Sequence, residues 1–205
     1  MRSTVTGKQL KRLGGATCLD FVNTIDPRLE PPREDFLSGF VDLADWGRYC
    51  GLLTEDETRS MLAEGAASPV AAASVHRRAI DLREALYRLF RAPNPPEPHA
   101  LASLNQELQR DAATAGIEWR NGEYALAWNA STVADRLLGE IARSAADLLT
   151  SARLDSVREC AGEGCGWLFL DTSKAHRRRW CSMDICGNRA KARRHRQRST
   201  TRSRS

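Results

Sequence analysis

The sequence predicts a mainly α fold with a small β-hairpin, an α+β chain whose helical N-terminal domain is followed by a compact, cysteine-stapled module. Three observations lead there. Apolar residues recur at helical spacing over most of the chain, as in Val75, Ala79, Leu82, Leu86 and Leu89. An Asn121-Gly122 pair, the signal of a tight hairpin turn, sits between two short stretches of alternating polarity. Four of the six cysteines fall in two C-x4-C pairs near the C-terminus, Cys160 with Cys165 and Cys181 with Cys186.

In chain order, residues 1–15 form a basic, polar arm without the apolar core of a signal peptide. Gly14-Gly15 leads into Ala16 to Ile25, where Leu19 and Val22 suit one helical face, although so short a pattern does not separate helix from strand. This segment carries Asp20 and Asn23, for which two roles are open: contact to a small ligand, or bonding to nearby backbone. The second is favoured, because short polar side chains so often satisfy backbone groups locally. Pro27, Pro31 and Pro32 mark a loop. Asp35 to Tyr49 reads as a helix with the stripe Phe36, Phe40, Leu43 and Trp46, closed by Gly51.

Thr54-Glu55-Asp56-Glu57 is a capping box that opens a helix to about Glu64. A DNA-reading helix pair here would press Glu55, Asp56, Glu57 and Glu64 toward phosphate, so a packed helical hairpin is the better reading. Pro69 to Arg91 is the longest helix; His76, Arg77, Arg78 and Arg83 lie off its apolar stripe and are expected on a solvated face. Prolines from Pro93 to Pro98 break the chain before a helix from His99 to Ala113. In the hairpin from Gly116 to Trp128, a two-residue turn sets Arg120 opposite Glu123, Trp119 opposite Tyr124 and Ile117 opposite Leu126. The two apolar pairs share a face, expected to pack over the helical core rather than to form an aromatic platform for a ligand. Ser131 or Thr132 caps a last helix, striped by Val133, Leu137, Ile141, Ala145 and Leu148, that ends near Ala152.

The C-terminal segment carries the chemistry. Each cysteine pair is a short clip that fixes two soft ligands at little loop-closure cost, and two clips complete the closed tetrahedral shell that suits one structural Zn2+. Trp167 to Leu170 reads as a strand, and Ser182-Met183-Asp184-Ile185 as the first turn of a helix, with Cys181 just before it and Cys186 within it. Knuckle, hairpin and ligand-bearing helix make a treble-clef-like zinc finger. His176 is not needed as a ligand when four thiols are present. A closed four-thiolate site offers no open position for catalysis. With no phosphate-cradling glycine loop, H-E-x-x-H motif or nucleophile beside a base, the chain does not read as an enzyme.

The net charge of +5 conceals a sharp division: Thr172 to the end carries +11 and the preceding residues −6. A block so segregated is the footprint of a polyanionic partner. The candidate nucleic-acid contacts are Arg177, Arg178, Arg179, Arg189, Lys191, Arg193, Arg194, Arg196 and Arg198, with Arg189, Arg193 and Arg196 on one helical face. Residues 199–205 are a basic tail in which no structure is expected. Trp167, Phe169 and Trp180 are needed to cover the metal rather than to stack on bases, which weakens the case for RNA. An RNA-binding role and an adaptor module for an acidic protein are the alternatives, ahead of a small-molecule enzyme in the helical domain. No apolar run is long enough to cross a bilayer, so a cytoplasmic, thiol-reducing setting is expected, with Cys18 and Cys50 as buried thiols.

Arg179-Trp180-Cys181-Ser182-Met183 and Cys186-Gly187-Asn188-Arg189, with Asp171-Thr172-Ser173-Lys174 before them and Lys191-Ala192-Arg193 after, resemble the CGNR zinc-finger family of bacterial proteins. Cys18-Leu19-Asp20-Phe21-Val22-Asn23-Thr24 resembles the opening motif of the ABATE domain that accompanies that finger. The resemblance implies zinc at Cys160, Cys165, Cys181 and Cys186, and a stress-induced regulator of transcription that binds DNA. The expected division is an ABATE-like domain over 1–153, the finger over 154–198 and the tail over 199–205. The first domain is expected to sense a small-molecule effector or to mediate a homodimer.

Overall fold

The computed structural model describes residues 10–91, 95–129 and 132–202, with side chains described as far as residue 197. The expected arm over 1–9, the first part of the proline break, the Ser131 alternative for a cap and the last three residues lie outside these.

The helical body is organised around its shortest helix. In α1 (Thr17–Val22) the side chains of Cys18, Leu19, Phe21 and Val22 are wholly buried. It packs against α4 (Pro69–Arg91) and α6 (Val133–Leu149), the two long helices of the core. The sequence left helix and strand open here; burial on every side, which no half-buried strand needs, accounts for the weak periodicity. Leu137, Leu138, Ile141 and Ala145 of α6 and Leu82 and Leu86 of α4 complete this core.

Strands β1 (Ile25–Asp26) and β2 (Glu34–Asp35) pair antiparallel and delay the next helix, so α2 spans Phe40–Tyr49 instead of starting at Asp35. The reason is local. The Asp35 carboxylate accepts the Leu37 amide at 2.9 Å and the Arg83 guanidinium at 2.7 and 2.8 Å, which holds this residue outside a helix. In α3 (Glu55–Ala67) the capping box forms in both directions, Glu57 N to Thr54 Oγ1 at 3.2 Å and Thr54 N to Glu57 Oε2 at 2.7 Å. α5 (Pro98–Ala112) then packs on both α4 and α6.

Two arginines expected on a solvated face of α4 are structural instead. Arg83 is 2% exposed and bridges Asp35, Glu84 and the Thr24 hydroxyl. Burial alone would raise the Asp35 carboxyl, but the Arg83 hydrogen bonds and charge outweigh it and hold the carboxyl below its usual value. Arg78 reaches Glu107 of α5 and Asp135 of α6, at 2.6 and 2.7 Å, and so ties three helices together. Periodicity cannot detect such pairs, because it treats every arginine as surface.

The hairpin, β3 (Ala115–Arg120) and β4 (Glu123–Trp128), has the register read from its turn: Arg120 faces Glu123, Trp119 faces Tyr124 and Ile117 faces Leu126. Asn121 and Gly122 supply the two positive φ angles of that turn, 51° and 89°. Its orientation is the reverse of the expectation. Ala127 is buried and Gly116, Glu118 and Ala125 are half-buried, whereas Ile117, Trp119, Tyr124 and Leu126 point outward. The small residues allow close approach to the body, and the large apolar face is left uncovered.

After α6 a 3-10 turn (Ala152–Ser156) leads to the antiparallel pair β5 (Val157–Glu159) and β6 (Leu168–Leu170). A π-helical turn (Met183–Gly187) runs directly into α7 (Asn188–Arg202), which continues into the stretch expected to lack structure.

Candidate metal centre and nucleic-acid interface

The four sulfurs of Cys160, Cys165, Cys181 and Cys186 lie within 4.8 Å of one another, and all four residues are buried. Cys165 and Cys181 are 3.9 Å apart at sulfur, and Cys181 and Cys186 3.7 Å. A tetrahedron of Zn–S bonds of about 2.3 Å has edges of about 3.8 Å, so the spacing fits one zinc ion. Among the described residues, this is the only group of metal-ligating side chains that converges in this way. His176 is exposed and does not join it.

Local folding explains how two five-residue separations meet. The knuckle Cys160–Cys165 turns back on itself, with Cys165 N bonded to Gly162 O at 3.1 Å. On the other side, the bond from Gly187 N to Ser182 O at 3.0 Å is the i→i+5 bond of a π turn. A wider turn is what lets Cys186 swing back toward Cys181, which an α-helical turn starting at Ser182 would not do. One glycine is fixed by space: a Cβ on Gly162 would lie 2.9 Å from the Cys186 sulfur and 3.3 Å from that of Cys160.

Backbone amides of Gly162 and Cys181 point at the Cys160 sulfur from 3.4 and 3.3 Å. These two amides stabilise negative charge on the Cys160 sulfur, favouring the thiolate that a metal requires. Cys18 and Cys50 behave oppositely, as buried thiols should: loss of solvent pushes them up to about 11 and about 12.

Phe169, Trp167, Trp180 and Ile185 cover the cluster. The strand β6 divides its side chains by alternation: Phe169 faces the sulfurs, while Leu168 and Leu170 enter the core of the helical body. Backbone bonds lock this join. Asn23 donates to Leu168 O and accepts from Leu168 N, both at 2.8 Å. Arg28 N and Leu29 N bond to the carbonyls of Cys165 and Gly164, each at 2.9 Å, and the Trp167 indole donates to Ile25 O at 2.7 Å. Asp20 accepts the Gly14 amide at 2.8 Å, and Gly14 O in turn accepts Leu170 N at 2.8 Å. The two polar residues considered for a small ligand therefore have buried backbone partners, most of them in or next to the finger. Burial raises the Asp20 carboxyl, against the Gly14 amide and Arg12, which lower it.

The structure separates the nine basic candidates. Arg178 is turned inward: its guanidinium stacks 4.5 Å from the Phe169 ring and donates to the carbonyls of Trp180, at 2.9 Å, and Cys181. Arg193, half-buried, pairs with Glu163 of the knuckle. Arg177, Arg179, Arg189, Lys191, Arg194 and Arg196 are exposed, and the side chain of Arg198 lies outside the described residues. One residue read only as part of a motif, Asp171, organises the loop. Asp171 accepts Ser173 N and Oγ on one oxygen and Arg178 N on the other, at 3.0, 2.6 and 2.8 Å. Those bonds, Ser173's first, hold its carboxyl below the usual range. The Asp-x-Ser pattern was the available signal, since a short acidic side chain two residues before a serine commonly closes its own turn.

Two family profiles match the chain. One, ABATE, described as "Putative stress-induced transcription regulator", spans residues 15–152. The other, the CGNR zinc finger, spans residues 156–199. Both are of regulator and zinc-finger type. A comparison with curated proteins finds no match.

Proposed function

Since the chain belongs to the ABATE family and ends in a CGNR zinc finger, we propose that it is a DNA-binding regulator of transcription in which Cys160, Cys165, Cys181 and Cys186 ligate one structural Zn2+. The observation that carries the reading is the placement of α7. It grows directly out of the ligand-bearing turn and presents Arg189, Lys191 and Arg194 to solvent, with Arg177 and Arg179 exposed in the preceding loop. The zinc, when bound, supplies only a fixed tetrahedral clamp and no open coordination position. The residues of the chain do the rest: Glu163 braces the helix through Arg193, and Arg178 holds the loop onto the metal-site carbonyls.

A partner made of phosphates suits this surface, because a helix with so little to bury gains order from neutralising its own repulsion. Residues 1–153 are read as the regulatory domain, 154–198 as the finger and 199–205 as its basic tail. The test is equilibrium binding of the full chain to labelled duplex DNA, single-stranded DNA and RNA over a range of salt. Binding should favour duplex and weaken steeply with salt. Joint replacement of Arg189, Lys191 and Arg194 by Ala should flatten the log–log slope by about 2.5 to 3. Preference for RNA, or affinity insensitive to salt, would replace this reading with the adaptor or RNA-binding one.

A further inference from the structure

The hairpin presents its large apolar residues to solvent. Ile117, Trp119, Tyr124 and Leu126 are 67, 62, 78 and 57% exposed, and they occupy one face of a sheet that is two-stranded among the described residues. This is not a hairpin with an unspecified register. The turn fixes which residues pair, Trp119 and Tyr124 meet edge to face at 4.8 Å, and the opposite face, with Gly116, Ala125 and Ala127, is the one turned to the body. Shifting the pleat by one residue would bury the four large side chains instead, so their outward position is built into the strand pattern.

We propose that this face is the contact through which two copies of the chain associate. Three observations select a second copy over other occupants. The four side chains carry no charge, which disfavours a nucleic acid or an acidic peptide. The region before Thr172 carries a net −6, which opposes an anionic lipid surface. The patch is also graded along its length: aromatic at the turn, with Trp119 and Tyr124, and aliphatic toward the base, with Ile117 and Leu126. A two-fold axis lying between two such faces, across the strand direction, lays the aromatic end of one copy on the aliphatic end of the other, at the usual separation of packed sheets, about 10 Å.

The area agrees. At these exposures the four side chains offer on the order of 500 Å² per copy, so two copies cover about 1,000 Å², the lower limit of specific interfaces. The association is accordingly a reversible, concentration-dependent one. It stands on the hairpin alone and does not depend on the nucleic-acid reading. If both hold, a dimer would set two arginine-rich helices against two half-sites of a duplex.

The experiment is sedimentation equilibrium of the zinc-loaded full chain across about a hundredfold range of concentration. Wild type should move from the mass of one chain toward twice that mass. Trp119→Ser with Tyr124→Ser should stay at one chain throughout, with unchanged circular dichroism and zinc content. Ile117→Thr with Leu126→Thr, which keeps strand-forming side chains, should act in the same way, and Val70→Ser, an exposed site on α4, should behave as wild type. A wild type of single mass at every concentration overturns the proposal. So does a dimer that survives both hairpin variants, or wild type that stays single but co-sediments with neutral phosphatidylcholine vesicles through Trp119.

Discussion

Asn23 is the residue on which the join between helical body and finger depends most. Its amide satisfies both backbone groups of Leu168, a residue 145 positions away, inside a region with almost no solvent. Replacement by Ala leaves a buried N–H and a buried C=O without partners, a loss of about 2 to 4 kcal/mol. Urea unfolding should show it as a lower midpoint at unchanged slope. An equal midpoint would mean that solvent reaches Leu168 after all.

Asp171 gives a second residue-scale prediction, with a sign. Its folded pKa is depressed, so its stabilisation of the loop to Arg178 is fully present above the ordinary carboxylate value of 3.8 and is lost as the pH falls through its lower folded value. Amides of residues 173–178 should exchange faster in Asp171→Asn than in wild type at neutral pH. That difference should shrink on acidification.

At this scale the sequence was informative about chemistry and poor about partners. Two cysteine pairs announce a metal whatever surrounds them, and Thr54 with Glu57 announces a helix start, because those interactions span only a few residues. Asn23 with Leu168, and Arg83 with Asp35, are made by the tertiary fold and leave no local trace.

At the scale of elements, β6 is the decisive piece. Three residues serve two cores, Phe169 the metal cluster and Leu168 and Leu170 the helices. A chelator that removes the metal should therefore do more than loosen a C-terminal appendage. Hydrogen exchange should report lost protection at β5, β6 and α1 together, and the melting temperature of the helices should drop by several degrees. An unchanged melting temperature would mark the finger as an independent module.

Sequence patterns located the strand but assigned it to the finger alone, since three apolar residues in a row carry no sign of which core each one enters. The hairpin teaches the same limit. Its register was readable from Asn121-Gly122, because a two-residue turn is local geometry. Its orientation was not, because the rule that large apolar residues face inward does not hold for Ile117, Trp119, Tyr124 and Leu126, which are exposed.

For the whole molecule, the organising fact is the separation of charge: an acidic helical body and a basic C-terminal segment, joined by a small shared core. Arg91 of α4 pairs with Glu159 of β5 at 2.7 Å across the join, while Arg193 with Glu163 ties α7 to the knuckle within the finger. Arg189, Lys191 and Arg194 are held outward on one helix, α7, whose foundation is the four-cysteine cluster.

That foundation can be tested by metal analysis of purified protein, wild type against Cys181→Ser with Cys186→Ser. The account predicts one zinc per chain in wild type and almost none in the double variant. Equal zinc in both preparations, or none in either, would contradict it.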